Sequence, residues 1–138
     1  MRLFDTFAIS GSGLTSQRLR LDLIANNIAN VHTTRTEGGE PYKRLVPVFA
    51  QRLAMVKGTP EGAGVSVTAI LRDEGPPRLV YEPGHPDADE NGFVRYPNIN
   101  MANEMVDMIG ASRAYEANAT VIEAAKDLAE KALEIGRG

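Results

Sequence analysis

Two stretches, one near each end of the chain, repeat their apolar residues every seven positions. This spacing places the apolar side chains on one face of an α-helix and is typical of coiled-coil packing. Each stretch therefore predicts a long helix with one apolar stripe. In the first stretch, residues 3–31, the stripe consists of Phe7, Leu14, Leu21 and Ile28, with Leu3, Ile24 and Val31 three or four positions away.

The first predicted helix contains two glycines, Gly11 and Gly13. Inside a helix, glycine costs up to about 1 kcal/mol relative to alanine, because its backbone loses more conformational freedom on folding. We therefore expect the helix to bend or fray at these positions.

The second stretch, residues 100–136, has the same period. Asn100 suits the N-cap, Glu104 suits the positive end of the helix dipole, and Gly136 predicts the end of the helix. A row of small residues would allow another helix to approach closely, so we expect the two helices to pair with each other. The seven-residue series is Met101, Met108, Tyr115, Ile122 and Ala129, and the neighbouring row is Ala111, Asn118, Ala125 and Ala132.

The region between the helices alternates apolar and polar residues in short runs, and six of the eight prolines lie between positions 60 and 97. Both features predict short β-strands, with a type II turn at Pro83–Gly84. We therefore predict an α+β fold in which the terminal helices pair as an antiparallel, coiled-coil-like domain. The expected parts are residues 1–36 (first heptad helix and linker), 37–98 (a small β-rich unit) and 99–138 (second heptad helix). Residues 33–40 are polar and glycine-rich and predict a mobile connection.

The amino-acid composition argues against several classes of binding partner. The net charge of −3, from 15 basic and 18 acidic residues, does not favour nucleic-acid binding, which calls for a basic face. No apolar run approaches 18 residues, so we expect no membrane insertion. The first residues lack the uninterrupted apolar centre of a cleavable signal peptide. The chain has no cysteine, which excludes disulfides and thiolate metal sites.

One segment, "HPDADENGFV", matches part of a calcium-binding EF-hand loop. Asp87, Asp89 and Asn91 occupy ligand positions, but the final position, which requires glutamate, is Asn98. We expect a polar turn with local hydrogen bonds instead. The two histidines lie more than fifty residues apart, and no nucleophile with a base and an orienting group can be nominated. We therefore expect no metal, no cofactor and no catalytic residue.

Three asparagines, Asn26, Asn27 and Asn30, lie within five positions of the first helix although asparagine is a mediocre helix former. With Ile28 in the apolar seam, Asn27 falls beside that seam and the other two fall on the opposite face. Asn118 of the second helix falls inside the seam. These amides are either solvated surface groups or groups that bond to neighbouring helices and fix their register. The clustering favours assembly.

Two long segments resemble a known family. "LDLIANNIANVHTTRTEGGEPYKR" resembles the N-terminal signature of bacterial flagellar axial proteins, the rod and hook group. "VYEPGHPDADENGFVRYPNINMANEMVDMIGASRAYEANATVIEAAKDLAEKALEIG" is similar to the C-terminal half of the proximal-rod type, FlgC. The chain length fits this type, since distal-rod and hook proteins carry larger central insertions. One departure is "VHTTRTEGG", where relatives commonly have Thr-Pro or Thr-Gly.

The resemblance implies a structural subunit of the proximal rod of the flagellar basal body, which is not an enzyme. Such proteins pass unfolded through the flagellar type III export apparatus without a cleaved signal peptide. They assemble with copies of themselves and other rod subunits, through their terminal helices, into a periplasm-spanning helical tube that transmits torque. The alternative is a soluble helical-hairpin binding module with weak calcium affinity. From the apolar stripes and the resemblance, the expected assembly interface is Leu14, Leu21, Ile24, Asn26, Asn27, Ile28, Asn30, Val31, Glu104, Met105, Met108, Arg113, Tyr115, Asn118 and Ile122.

Overall fold

The computed structural model describes residues 3–138 and has a long helix at each end with four antiparallel strands between them. This arrangement confirms the α+β class and the central β unit. None of the helices in the described part carries an apolar stretch that could cross a membrane. The elements are α1 (Leu3–Ala29), β1 (Leu45–Val56), β2 (Thr59–Arg72), β3 (Arg78–Tyr81), β4 (Phe93–Tyr96) and α2 (Met101–Arg137).

The two helices pack side by side in opposite directions. Asn27, near the end of α1, contacts Glu104 in the first turn of α2. Gly13, in the first half of α1, lies against Asn118, further along α2. Because residue numbers fall along α1 as they rise along α2, the pair is antiparallel, as predicted from the two heptad stretches.

The buried face of α1 differs from the stripe that the sequence predicts. The predicted series Phe7, Leu14, Leu21 and Ile28 is only half-buried. The sequence pattern assigned burial by apolarity alone, whereas close helix contact favours small side chains and a polar cluster on α2 draws in polar ones. The buried residues of α1 are Ser10, Gly13, Ser16, Leu23, Ile24 and Asn27.

The expected fraying at the glycines is wrong, since α1 runs without interruption through both. Gly13 is buried against α2, and a Cβ atom at this position would lie 2.8 Å from Oδ1 of Asn118. That separation is shorter than real Cβ contacts allow, so a side chain at position 13 would displace the amide of Asn118. Around Gly11, by contrast, a Cβ atom would meet nothing within 4 Å.

The two glycines therefore predict opposite responses to alanine. Gly13→Ala should destabilise the chain by about 1–3 kcal/mol, because it overpacks the contact with Asn118. Gly11→Ala should stabilise it by up to about 1 kcal/mol through helix propensity alone. Urea unfolding followed by circular dichroism measures both values. A Gly13→Ala variant as stable as the Gly11→Ala variant would show that the helices do not approach closely at this point.

The start of α2 is capped as predicted, and two alanines of its small-residue row are buried. Oδ1 of Asn100 accepts a hydrogen bond from the backbone N–H of Asn103 over 3.2 Å. Ala111 and Ala125 are buried. The helix continues to Arg137, slightly beyond the predicted end at Gly136.

β1 and β2 form a long antiparallel hairpin that lies along α1. The backbone N–H of Val65 in β2 donates to Oγ of Ser12 in α1 over 3.0 Å. The strands are joined by Lys57 and Gly58, which have φ angles of 50° and 82°. Positive φ at both central residues is what a type I′ turn requires. The sequence analysis missed this turn because Lys-Gly is a weaker signal than Asn-Gly.

β3 and β4 form a second, short hairpin near the end of the helix pair where α1 stops and α2 begins. Val94 of β4 is completely buried, and Val31 and Ile99 are buried as well. The predicted type II turn at Pro83–Gly84 is wrong, because Gly84 does not adopt a positive φ. The positive φ falls at Gly92 instead, at 84°.

Residues 33–40 form a defined turn where the sequence predicts a mobile connection. The backbone N–H of Thr36 donates to the carbonyl of Glu40 over 2.8 Å. The hydroxyl of Thr34 donates to Oδ2 of Asp87 over 2.8 Å, which ties this segment to the loop between β3 and β4. The composition of a segment does not reveal hydrogen bonds to side chains that are distant in the sequence.

Candidate assembly site

Five polar side chains meet where the end of α1, the residues just before β1 and the first turns of α2 come together. We call this set the polar node. Two of its members, Asn27 and Glu104, are each only 1% exposed. Buried polar groups are costly unless they are hydrogen-bonded, so the pairing inside the node determines whether this junction is stable. The node consists of Asn27, Tyr42, Arg44, Glu104 and Asp107.

Asn27 forms the centre of the node and uses its whole amide. Its Oδ1 accepts hydrogen bonds from the backbone N–H of Leu45 (2.9 Å) and from the hydroxyl of Tyr42 (3.1 Å). Its Nδ2 donates to the carbonyl of Leu45 (2.9 Å) and to Oε2 of Glu104 (3.4 Å). The amide therefore bonds to both backbone groups of the first residue of β1, much as a neighbouring strand would. Asn27 fixes the root of the hairpin to α1.

Glu104 and Arg44 form the charged part of the node. Arg44 Nε donates to Oε1 of Glu104, and its guanidinium also lies 3.4 Å from Oδ2 of Asp107. A carboxylate as buried as that of Glu104 needs a cation and further hydrogen bonds to offset the loss of water. Arg44 directly precedes β1, so this ion pair ties the hairpin to α2 as Asn27 ties it to α1.

Tyr42 completes the node as a hydrogen-bond donor. Burial raises the pKa of Tyr42, and the negative charge of Glu104 raises it further. Both effects favour the neutral phenol, because an ionised oxygen would be poorly solvated and would repel the carboxylate. The phenol hydroxyl is therefore present to donate to Asn27.

The three clustered asparagines of α1 occupy different environments. The predicted position of Asn27 beside the seam is wrong, because the side chain is buried inside it. Asn26 is exposed, in keeping with its predicted position on the opposite face. Asn30 is half-buried, and its Nδ2 donates to the backbone carbonyl of Asn26 over 2.9 Å. Its Oδ1 accepts a hydrogen bond from the hydroxyl of Thr33 over 3.0 Å. Of the three asparagines, Asn27 is the one that bonds to β1 and α2, so the cluster does not act as one unit.

The residues predicted to form the assembly interface fall into three groups. Asn118 lies inside the helix contact as predicted, half-buried against Gly13. The buried group can only act within the chain, and the exposed group is accessible to a neighbour. Buried are Ile24, Asn27, Val31 and Glu104; half-buried are Leu14, Leu21, Ile28, Asn30, Met108, Asn118 and Ile122; exposed are Asn26, Met105, Arg113 and Tyr115.

The sequence analysis missed a second apolar series on α2. Val121, Leu128 and Ile135 are also spaced by seven, and they are 44%, 63% and 81% exposed. We call these three residues the outer stripe. The spacing of seven is visible in the sequence, but the predicted apolar stripe of α2 was based on the series that includes Met108 and Ile122. The outer stripe lies on a face that α1 does not cover.

The end of α2 extends past the described part of α1. The helices contain 37 and 27 residues. With Gly13 level with Asn118, the first described residue of α1, Leu3, is level with Leu128. Residues 128–137 therefore form an overhang of about 15 Å, at 1.5 Å per residue. Two of the three residues of the outer stripe lie on this overhang.

The loop between β3 and β4 is a polar turn, as predicted. Oδ1 of Asp89 accepts hydrogen bonds from the backbone N–H groups of Asn91 and Phe93, both over 2.9 Å. The carboxylate of Asp87 accepts the hydroxyl of Thr34 and lies 3.8 Å from Arg35. Both carboxylates thus have partners within the chain. Within residues 3–138, no group of three or more histidine, cysteine, aspartate or glutamate side chains is placed to hold a metal ion.

Comparison with known proteins assigns the family. Residues 7–35 match the family model described as flagella basal body rod protein, and residues 90–135 match that of the flagellar basal body rod FlgEFG protein C-terminal region. The chain is 47% identical to the flagellar basal-body rod protein FlgC of Borreliella burgdorferi over the full length of both. The chain belongs to the FlgC family of flagellar rod proteins. It is also 39% identical to FlgC of Salmonella typhimurium and of Bacillus subtilis, over 99% of this chain and 100% of each relative.

The comparisons confirm the predicted resemblance to a structural rod protein of the basal body. The two matched regions cover most of the two helices of the pair. Asn27 lies in the first region, and Glu104 and the outer stripe lie in the second. The FlgC relatives align with the entire chain, including the β1–β2 hairpin that lies between those regions.

Proposed function

We propose that this FlgC-family chain is a subunit of the proximal rod, and that it assembles with its own copies and with other rod subunits through its terminal helices. The product is a helical tube that transmits torque. The observation that carries this proposal is the outer stripe, an apolar heptad series that the described residues, 3–138, leave largely exposed.

The outer stripe has the properties of a helix contact surface. A spacing of seven places its three side chains along one line of α2, where another helix can cover all of them. Full burial of a large aliphatic side chain contributes roughly 1.5–3 kcal/mol. Solvent exposure of Leu128 and Ile135 at 63% and 81% leaves most of that contribution unused. A neighbouring helix would recover it.

A second accessible apolar patch lies near the start of α2. Met105, Val106 and Ile109 are 56%, 67% and 55% exposed. Ile109 lies about one helix turn from both Met105 and Val106, so the three share one side of the helix. A subunit inside a tube needs contacts with more than one neighbour, and two separate patches on α2 support such packing.

The polar node would affect assembly indirectly, through the shape of the subunit. Its buried members, Asn27 and Glu104, are occupied inside the chain and set the angle between the helix pair and the β1–β2 hairpin. Contact with neighbours falls to exposed members of the predicted interface, among them Asn26, Arg113 and Tyr115. We propose that residues 1–36 and 99–138 form the rod core and residues 37–98 an outer unit. Met1 and Arg2 lie outside the described residues.

The remaining features of the proposal follow from the family. We propose that the chain reaches the periplasm-spanning part of the basal body through the flagellar type III export apparatus. We further propose that it performs no catalysis and needs no cofactor, since its role is cohesion and force transmission. The relatives support this by their names, which describe rod proteins.

The outer stripe gives the direct test. A Leu128→Ser/Ile135→Ser variant should fold and be exported, because both side chains are mostly exposed in the single chain. It should not enter the rod, because the contact surface on the overhang is lost. The measurement is the amount of the chain in detergent-purified basal bodies, together with swimming in soft agar.

An Asp127→Ser/Glu134→Ser variant is the matched control, since both side chains are exposed and polar on the same part of the helix. The control should assemble and swim normally. Wild-type amounts of the Leu128→Ser/Ile135→Ser variant in basal bodies would refute a contact role for the overhang.

A further inference from the structure

Two hydrogen-bonded attachments hold the β1–β2 hairpin to α1, one at its root and one near the middle of its length. At the first point, both backbone groups of Leu45 bond to Asn27. At the second point, the backbone N–H of Val65 donates to Oγ of Ser12, whose own hydroxyl donates to the carbonyl of Ile9 over 2.7 Å. The rest of the hairpin lies beyond this second attachment.

Gly64 makes the second attachment possible. Its φ is 110°, a conformation that residues with a side chain rarely adopt. A Cβ atom at this position would also overlap Oγ of Ser12. Only glycine therefore allows β2 to come close enough for the bond between Ser12 and Val65.

The regular pairing of the two strands is interrupted at the same level. Gln51 pairs with Val65, but the next pair is Leu53 with Gly62, so the register shifts at this point. Such a bulge leaves unpaired residues in the ladder and locally bends the strands. A second register shift lies nearer the root, between Val48 and Phe49. The break between Gln51 and Leu53 differs from it because it lies next to Gly64, a glycine of positive φ.

Beyond the bulge, the end of the hairpin has little support. We call residues 52–63 the arm. Every residue of β1 from Gln51 to Val56 is exposed, and Leu53 and Met55 reach 62% and 71% exposure. An isolated two-stranded ribbon is marginally stable in water without a helix or further strands to cover it. The inner side of the arm faces α1 across a groove of about 370 Å³ between Ala54 and Val56 on one side and Ala8 and Ile9 on the other.

We propose that the arm swings as a unit about a hinge at Gly62–Gly64, while the root of the hairpin stays fixed by Ser12 and Asn27. The movement opens and closes the groove between the arm and the N-terminal half of α1. If the chain forms a rod as proposed above, the arm can meet neighbours at more than one angle without disturbing the helix pair.

The absence of cysteine from the sequence allows site-directed spin labels to test the hinge in the purified full-length chain. Two double variants share one exposed label site on α1, Arg18→Cys. The root pair adds Ala69→Cys in β2, and the arm pair adds Met55→Cys in β1; all three positions are exposed. Pulsed electron–electron double resonance measures the distribution of distances between the two labels. We expect a narrow distribution for the root pair. The distribution for the arm pair should be about twice as wide or have two maxima.

Two other outcomes would contradict the hinge. Two narrow distributions would show a rigid hairpin, and two broad ones would show that the root is not held; either result overturns the proposal. Because the chain is measured alone, the result is independent of whether it assembles into a rod.

Ser12→Ala tests the attachment itself. With one of its two fixed points removed, the root should pivot about Leu45, and the distribution of the root pair should broaden towards that of the arm pair. Thr15→Ala is the matched control, because the hydroxyl of Thr15 bonds only within α1, to the carbonyl of Gly11 over 3.1 Å. An unchanged root distribution in the Ser12→Ala variant would exclude Ser12 as the point that limits the hinge.

Discussion

An Arg44→Met variant is expected to be about 3–5 kcal/mol less stable than the wild-type chain, the range for removing one partner of a buried ion pair. Glu104 is only 1% exposed and would remain buried without the guanidinium that now faces it. Asp107 would lose the same partner but is 40% exposed, so water can compensate there. Urea unfolding monitored by circular dichroism gives the free energy of unfolding.

Two further variants separate the ion pair from general effects of losing an arginine. Arg20→Met removes an arginine that lies 3.8 Å from Asp107, a partner that is 40% exposed, and it should cost less than about 1 kcal/mol. The double variant Arg44→Met/Glu104→Met removes both charges and should recover much of the stability lost in Arg44→Met. If Arg20→Met and Arg44→Met had equal effects, the polar node would not be the structural centre of the helix–hairpin junction.

An Asn27→Leu variant should be exported normally but should fail to swim. Leucine of similar size removes four hydrogen bonds and leaves both backbone groups of Leu45 and the hydroxyl of Tyr42 without their present partner. Each buried polar group left unpaired costs about 1–3 kcal/mol. We therefore expect the hairpin root to detach from α1 and the subunit to lose the shape that its neighbours require. Secretion, rod assembly and swimming are measured in the same strain.

Asn26→Leu provides the comparison, because Asn26 is the adjacent residue and is exposed. It should leave the free energy of unfolding of the purified chain within about 0.5 kcal/mol of wild type, the usual range for surface substitutions. Asn27→Leu should lower it clearly. Normal swimming of the Asn27→Leu strain would contradict a structural role for this amide in the rod.

Periodicity was enough to predict the elements but not the face by which they pack. Heptads at both ends correctly gave two long helices and their pairing, and Asn100 correctly gave the start of α2. The buried face of α1 was misassigned because an apolar count gives no weight to Gly13 or Asn27. A glycine or a fully hydrogen-bonded asparagine can be more buried than a leucine on the same helix. Which residues are buried depends on the side chains of the opposite helix.

The polar node could not be predicted because its partners are far apart in the sequence. Arg44 and Glu104 are separated by sixty positions, and each alone is an ordinary charged residue near the end of an element. The clustered asparagines did indicate an unusual site. They did not indicate that Asn27 bonds to the backbone of β1 within the same chain, because such a contact depends on where the hairpin lies.

The most direct test of rod assembly is quantitative mass spectrometry of detergent-purified basal bodies from the native cell. We predict that the chain is present there at a fixed ratio of a few copies to the other rod subunits. Absence from basal bodies, with the chain found dissolved in the cytosol, would contradict its role as a subunit of the rod.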